Sequence, residues 1–76
     1  MSNDTIGRYL VRLGEMIIDG DNFVDKYKIG DDIGLVDRIQ TDHIVEILLK
    51  EGYIRNNKEH SKISLTDEGH RRLDKK

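Results

Sequence analysis

The chain has 76 residues, the size of one small domain, and 36% of them are hydrophobic, which is enough for a single core. It contains no cysteine, which excludes disulfides and thiolate metal sites, and no apolar run marks a membrane span or signal peptide, so we expect a cytoplasmic protein. The net charge of −2 argues against a general polyanion binder, yet residues 1–52 carry 11 acidic and 6 basic side chains whereas residues 53–76 carry 4 and 7.

Apolar periodicity predicts a first helix over residues 6–18, with one stripe formed by Ile6, Leu10, Leu13 and Ile17. A second set of small or apolar residues follows the opposite side: Gly7, Val11, Gly14 and Ile18. Glycine inside a helix costs about 1 kcal/mol relative to alanine, so close packing over this surface is expected. Either the C-terminal helix of the same chain packs there, or the set is the interface of a homodimer.

Residues 19–22 have the composition of a turn. A calcium loop starting at Asp19 is excluded by spacing, because its twelfth position is Gly30 where a bidentate glutamate is needed. A second helix is predicted around residues 25–34 and ends at Gly34, although residues 23–28 are also compatible with a short strand or a separate turn. Residues 35–40 form a connection whose Val36 and Ile39 are expected to enter the core.

The third predicted helix starts with Thr41 as N-cap and runs to about Glu51, where Gly52 supplies a left-handed stop. Its apolar residues cover a wide arc: Ile44, Val45, Ile47, Leu48 and Leu49. Its polar residues occupy the remaining, exposed arc: Asp42, His43, Glu46 and Lys50.

Two short strands, residues 53–57 and 61–65, are predicted to form a hairpin whose tip is Lys58-Glu59-His60. In the second strand, Ile63 and Leu65 should point to one face, and Lys62 and Ser64 to the other. Thr66 is expected to cap a last helix that has acidic residues in its first turn and basic residues toward its end, an order that suits the helix dipole.

The segment HIVEILLKEGYI, the polar hairpin and LTDEGHRRL together resemble the recognition helix, wing and following helix of bacterial and archaeal winged-helix regulators of the MarR, PadR and ArsR-like group. KIGDDIGL is similar to the second helix of such domains. The resemblance covers about residues 27–73 and implies a mainly α winged helix-turn-helix, in which a small β-hairpin lies between the third and fourth helices. Two features depart from the pattern: the long connection from Gly34 to Thr41, and a third helix that is not basic.

The resemblance implies double-stranded DNA as the partner, with the third helix in the major groove and the hairpin against the backbone. Carried over by position, the third helix would offer His43, Glu46 and Lys50 to base edges, with Arg38 and Thr41 near the DNA backbone. The wing would offer its polar side chains to phosphates or the minor groove: Arg55, Lys58, His60 and Lys62. The first hypothesis is therefore a dimeric transcriptional regulator.

The acids of the third helix support a second hypothesis, a winged-helix interaction module or adaptor whose acidic N-terminal two-thirds binds a protein partner. One chain offers about four or five phosphate contacts, which gives weak binding at physiological salt unless a dimer doubles them. We expect no enzyme, because no nucleophile and base occur at recognisable spacing. No metal site or cofactor is expected, since His43, His60 and His70 form no two-histidine motif.

Overall fold

Four helices and three short strands make up the part of the chain that the computed structural model describes, residues 3–17, 23–59 and 61–74. In chain order they are α1 (Asn3–Met16), β1 (Val24–Asp25), α2 (Lys26–Asp32), α3 (Arg38–Lys50), β2 (Ile54–Asn56), β3 (Lys62–Leu65) and α4 (Asp67–Asp74). The structure is therefore mainly helical with a small antiparallel sheet. None of the helices described has both the length and the apolar composition needed to cross a bilayer.

The apolar stripe of α1 forms one wall of the core, as its spacing predicts. Leu10 and Leu13 are buried, and so is Ile17, which follows the helix. Tyr9, beside the stripe, is also fully buried. The helix begins three residues before the predicted start and ends two residues before the predicted end, a difference within the usual uncertainty of helix ends.

A glycine in the left-handed conformation lies two residues after the last residue of both α2 and α3, and both stops were predicted. Gly34 has φ +87°, and the N–H of the next residue, Leu35, donates to the Gly30 carbonyl at 2.8 Å. Gly52 has φ +79°, and the N–H of the residue after it donates to the Leu48 carbonyl at 3.1 Å. These bonds satisfy carbonyls that the helix end would otherwise leave open.

The predicted start of α3 at Thr41 is wrong. Asp37 is the N-cap, because its carboxylate accepts the Ile39 N–H at 2.9 Å, and α3 therefore begins one turn earlier. Thr41 lies inside the helix and is only 1% exposed. The earlier start also places Val36 and Ile39 at the surface, 91% and 77% exposed, and not in the core as expected.

Thr41 is buried because α2 and α3 cross closely at this point. A Cβ added to Gly30 would collide with the Thr41 hydroxyl, so the glycine is what allows the two helices to approach. Ile29 beside it and Ile44 one turn after Thr41 are both fully buried. The crossing thus directs one face of α3 into the core and leaves the opposite face outside.

The three strands form one antiparallel sheet in the order β1-β3-β2. The predicted hairpin is confirmed by the pairing of Ile54 with Leu65, and the Asn57 carboxamide closes its turn by accepting the N–H groups of Ser61 and Lys62. The third strand, β1, pairs Val24 with Ile63. Residues 23–28 were predicted to be part of a helix, a short strand or a separate turn. The short strand is correct for Val24 and Asp25, and α2 begins at Lys26.

The outer face of the sheet is less exposed than the alternation predicts. Lys62 is exposed as expected, but Ser64 is 1% exposed, and its hydroxyl has no hydrogen-bond partner in the structure as described. Arg55 lies directly opposite Ser64, and its guanidinium carbon stands 5.5 Å from the ring centre of Phe23, the residue before β1. The two large side chains therefore flank the small serine on this face.

The last helix, α4, is capped by Thr66 as predicted, with the Gly69 N–H donating to the Thr66 hydroxyl at 3.1 Å. The helix packs against α1, and a Cβ on Gly14 would stand 2.5 Å from a methyl carbon of Leu73. Of the two explanations for the small residues of α1, packing by the C-terminal helix is therefore correct for Gly14. The basic end of α4 beyond residue 74 lies outside the described residues.

Two glycines should respond in opposite directions to substitution by alanine. A Cβ on Gly69 would overlap the backbone carbonyl oxygen of Tyr53, so Gly69→Ala should lower the free energy of unfolding by about 1–3 kcal/mol. A Cβ on Gly7 meets no atom within 4 Å, so Gly7→Ala should raise it by about 0.5–1 kcal/mol. Urea unfolding of the two variants checks this, and equal stability of the two would contradict the packing described here.

Candidate nucleic-acid interface

The exposed surface of α3 includes one stripe of four side chains that runs along the helix. Ile39, His43, Glu46 and Lys50 follow one another at spacings of four, three and four residues, and all four are exposed. This spacing places them on one side of the helix. Three of the four were predicted as candidates for base contacts, and the structure brings these three together.

Asp42 lies beside this stripe but is turned toward α2. Its carboxylate accepts the Tyr27 hydroxyl at 2.9 Å and lies 3.2 Å from the Lys26 ammonium group. The Lys26 side chain is 17% exposed and that of Asp42 is 49% exposed, so the pair sits in the surface layer. The ammonium group compensates the negative charge of Asp42, which weakens its repulsion of a polyanion.

Arg38, in the first turn of α3, packs on the same tyrosine. Its guanidinium carbon stands 4.6 Å from the centre of the Tyr27 ring, within the range of a cation–π contact. Arg38 is nevertheless exposed. The residue predicted to approach the DNA backbone is thus at the surface, whereas Thr41, predicted to lie beside it, is buried and cannot contact a ligand.

The start of α2, which carries Lys26 and Tyr27, is itself held in place from two sides. Asp25 caps the helix by accepting the Tyr27 N–H at 2.9 Å, and the Tyr9 hydroxyl donates to the Lys26 carbonyl at 2.8 Å. Burial raises the pKa of Tyr9 above its ordinary value, and the nearby carboxylates of Asp25 and Asp42 raise it further. Tyr9 therefore remains a neutral donor throughout the physiological range.

The hairpin presents cations at the surface, as predicted. Arg55, Lys58 and Lys62 are all exposed, and the Arg55 guanidinium packs on Phe23. β2, which carries Arg55, packs against α3. His60, the fourth residue predicted for the wing, lies outside the described residues.

The predicted dimer surface on α1 is reduced by the fold. Gly14 is covered by Leu73, while Gly7 is exposed and Val11 is 50% exposed. These two residues lie with Ile33, the residue after α2, in an open groove that has charged side chains around it. Ile18, the fourth residue of the predicted set, lies outside the described residues.

Ion pairs next to this groove tie α1 to α2. An Arg12 nitrogen lies 3.0 Å from an Asp32 oxygen, and the Lys28 ammonium group lies 3.3 Å from the other oxygen. The hydrogen bond from Arg12 lowers the pKa of Asp32 below its ordinary value, and Lys28 adds to the effect. Asp32 is therefore already engaged within the chain and contributes less free negative charge than the sequence suggests.

Within residues 3–17, 23–59 and 61–74, no three His, Asp or Glu side chains lie close enough together to hold a metal ion. No family model, no curated protein and no solved structure matches this chain.

Sequence reasoning missed the cluster formed by Lys26, Tyr27, Arg38 and Asp42. The signal that was available is the Asp25-Lys26 pair, since an aspartate before a helical segment is a common N-cap. Placing that cap would have started α2 at Lys26, with Tyr27 in its first turn. The contact with Arg38 also required the correct start of α3, which the choice of Thr41 as cap prevented.

Substitution of Asp37 tests the start of α3 and hence the placement of Arg38 and Ile39. Asp37→Ala removes the acceptor for the Ile39 N–H and should lower the free energy of unfolding by about 1 kcal/mol. Asp37→Ser retains a capping oxygen and should lose far less. Chemical unfolding of both variants checks this. An Asp37→Ala variant as stable as the parent would show that Asp37 does not cap α3.

Proposed function

We propose that the chain is a winged-helix DNA-binding domain of a transcriptional regulator, with α3 in the major groove of double-stranded DNA. In this proposal the β2–β3 hairpin is the wing. The observation that carries it is the exposed stripe of α3 beside an Asp42 whose charge is directed onto α2. A helix can then enter the groove while the Lys26 ammonium group offsets the charge of that carboxylate.

The connection between α2 and α3 supports the proposal, because it is shorter than the sequence suggested. The cap at Asp37 leaves only residues 33–37 between the helices, compared with a predicted connection that reached Thr41. Helix-turn-helix units join their helices by short turns that often contain glycine, here Gly34. The first of the two departures from the winged-helix pattern is thereby reduced, from six connecting residues to five.

The chemistry of the stripe suits base edges. Glu46 can accept from a cytosine amino group, and Lys50 can reach guanine or a phosphate. The exposed Ile39 and Val36 at the helix entry offer apolar contact to thymine methyl groups. The N-terminal residues of a recognition helix are the ones that contact bases, so both apolar side chains stand at the appropriate end.

The wing supplies positive charge for phosphates and does not distinguish one DNA sequence from another. Lys58 and Lys62 are exposed lysines on or beside the hairpin, and Arg55 is held there by Phe23. Contacts of this kind neutralise phosphates and release counterions, which adds affinity for any sequence. In this proposal α3 therefore recognises bases and the wing binds phosphates.

Binding to duplex DNA should weaken as salt rises, and the wing lysines should account for part of that dependence. Lys58→Ala combined with Lys62→Ala should weaken binding to all sequences. It should also reduce the slope of log K against log salt by about 2, because each phosphate contact contributes about 0.9. Titrations of fluorescent duplexes at several salt concentrations measure both quantities.

The matched control removes two cations elsewhere, by Arg71→Ala combined with Arg72→Ala. Both residues are exposed and lie on α4, outside the hairpin, and the change in net charge is the same. This variant should keep most of the affinity and nearly the parent slope. If the two double variants behave alike, the wing is not a phosphate-binding element.

A homodimer remains part of the proposal because one chain offers few phosphate contacts and a dimer doubles them. The exposed Gly7 and Val11 are the residues of the predicted interface that the fold leaves accessible. Val11→Glu should convert the dimer to a monomer in sedimentation experiments, with little change in the melting temperature. Val36→Glu is the matched control outside the groove and should leave the mass unchanged, and a monomeric parent protein at high concentration would remove the dimer.

A protein-interaction module is the second candidate, and the exposure of Val36 and Ile39 is the observation that favours it. Two large apolar side chains at the surface, 91% and 77% exposed, also suit a contact with a protein partner. The two candidates differ in one measurement. No detectable binding to duplex DNA even at low salt would favour the adaptor and exclude the regulator.

A further inference from the structure

Tyr27 is held by two hydrogen bonds, one at its backbone and one at the end of its side chain. At the backbone, its N–H donates to the Asp25 cap at 2.9 Å, and at the tip of the side chain its hydroxyl donates to Asp42 at 2.9 Å. The Lys26 ammonium group stands 5.1 Å from the ring centre and also binds Asp42. A ring held in this way is a rigid platform for what packs on it.

Arg38 packs on this platform, with 4.6 Å between its guanidinium carbon and the ring centre. A guanidinium group that packs on an aromatic ring can still donate hydrogen bonds from its edge, where its N–H groups lie. Asp42, one turn along α3, would be the usual ion-pair partner, but its carboxylate binds Lys26 and Tyr27. Across the ranges that the structure describes, no carboxylate forms an ion pair with Arg38.

We propose that Arg38 reads a guanine base in the major groove, through paired hydrogen bonds to its O6 and N7 atoms. This inference rests on the proposed function and changes the role of Arg38 from a backbone contact to a specificity-determining one. Tyr27 is then a positioning residue, which acts through Arg38 and does not itself contact DNA.

Geometry favours a base over a phosphate for this side chain. The N-terminal residues of a recognition helix are those that reach base edges, and Arg38 is the first residue of α3. The two parallel donors of a guanidinium match the two acceptors of guanine, whereas a lysine offers a single point charge. Packing on Tyr27 also lowers the side-chain entropy lost on binding, since the arginine is restrained before it meets DNA.

The test begins with selection of bound duplexes from a random-sequence pool, for the parent protein and for Arg38→Lys. The lysine keeps the positive charge and loses the paired donors. The parent should enrich a motif that contains guanine, and Arg38→Lys should lose the preference at one guanine position while keeping the others. An unchanged motif for Arg38→Lys would overturn the inference and leave the proposed function intact.

A base analogue then tests the contact itself. Replacement of the selected guanine by 7-deazaguanine removes the N7 acceptor and leaves the charge of the DNA unchanged. The parent should lose about fivefold to tenfold in affinity, because one of the two hydrogen bonds of the paired contact is removed, and Arg38→Lys should lose clearly less. Equal losses for both proteins would overturn the inference.

The role of Tyr27 is tested by two variants. Tyr27→Leu removes the ring and should reduce discrimination against 7-deazaguanine, whereas Tyr27→Phe keeps the ring and should retain most of it. Lys62→Ala is the control, because it should weaken binding to every duplex without changing the motif. Circular dichroism melting shows whether each variant is folded, and the comparison is made only among folded variants.

Failure of the proposed function would look different from failure of this inference. If the parent protein binds no duplex, or binds without enriching any motif, both fall together. If it enriches a motif in which no position depends on Arg38, only the guanine contact is lost.

Discussion

The close crossing of α2 and α3 is the constraint on which the rest of the structure depends. Gly30 has no side chain at the contact, and the Thr41 hydroxyl occupies the space that a Cβ would need. With Thr41 held inside, Ile44 and Leu48 enter the core and the stripe on the opposite face must point outward. The same crossing brings the first turn of α3 beside the first turn of α2, where Arg38 meets Tyr27.

Several acidic side chains in the first two-thirds of the chain are engaged within the fold. Two aspartates cap helices, and two others bind cations of neighbouring elements: Asp25, Asp37, Asp32 and Asp42. Each of these charges is placed near a helix N-terminus or a basic group, where it stabilises the protein. A charge count over the sequence therefore overstates the negative charge that a polyanion would meet at α3.

The sequence predicted most elements, and it failed where two local signals competed. Gly34 and Gly52 mark helix ends because few other residues adopt a left-handed conformation, and both predictions are confirmed. Asp37 and Thr41 are both acceptable caps, and only tertiary packing, which buries Thr41, selects between them. The exposure of Val36 and Ile39 and the contact of Arg38 with Tyr27 both depend on the cap at Asp37, so neither was predicted. The two-residue strand β1 is too short for periodicity to distinguish from a turn.

Affinity and specificity would be located on different elements of this fold. In the proposed complex, the exposed Lys58 and Lys62 of the short hairpin would interact with any phosphate backbone at similar strength. Arg38 is restrained by an aromatic ring whose own position depends on α1, since Tyr9 holds the start of α2. A rigid arginine discriminates between bases because a misplaced acceptor cannot be accommodated by a change of rotamer. In the proposed complex, the core would therefore influence base recognition through Tyr9 and Tyr27, and the hairpin lysines would act independently of it.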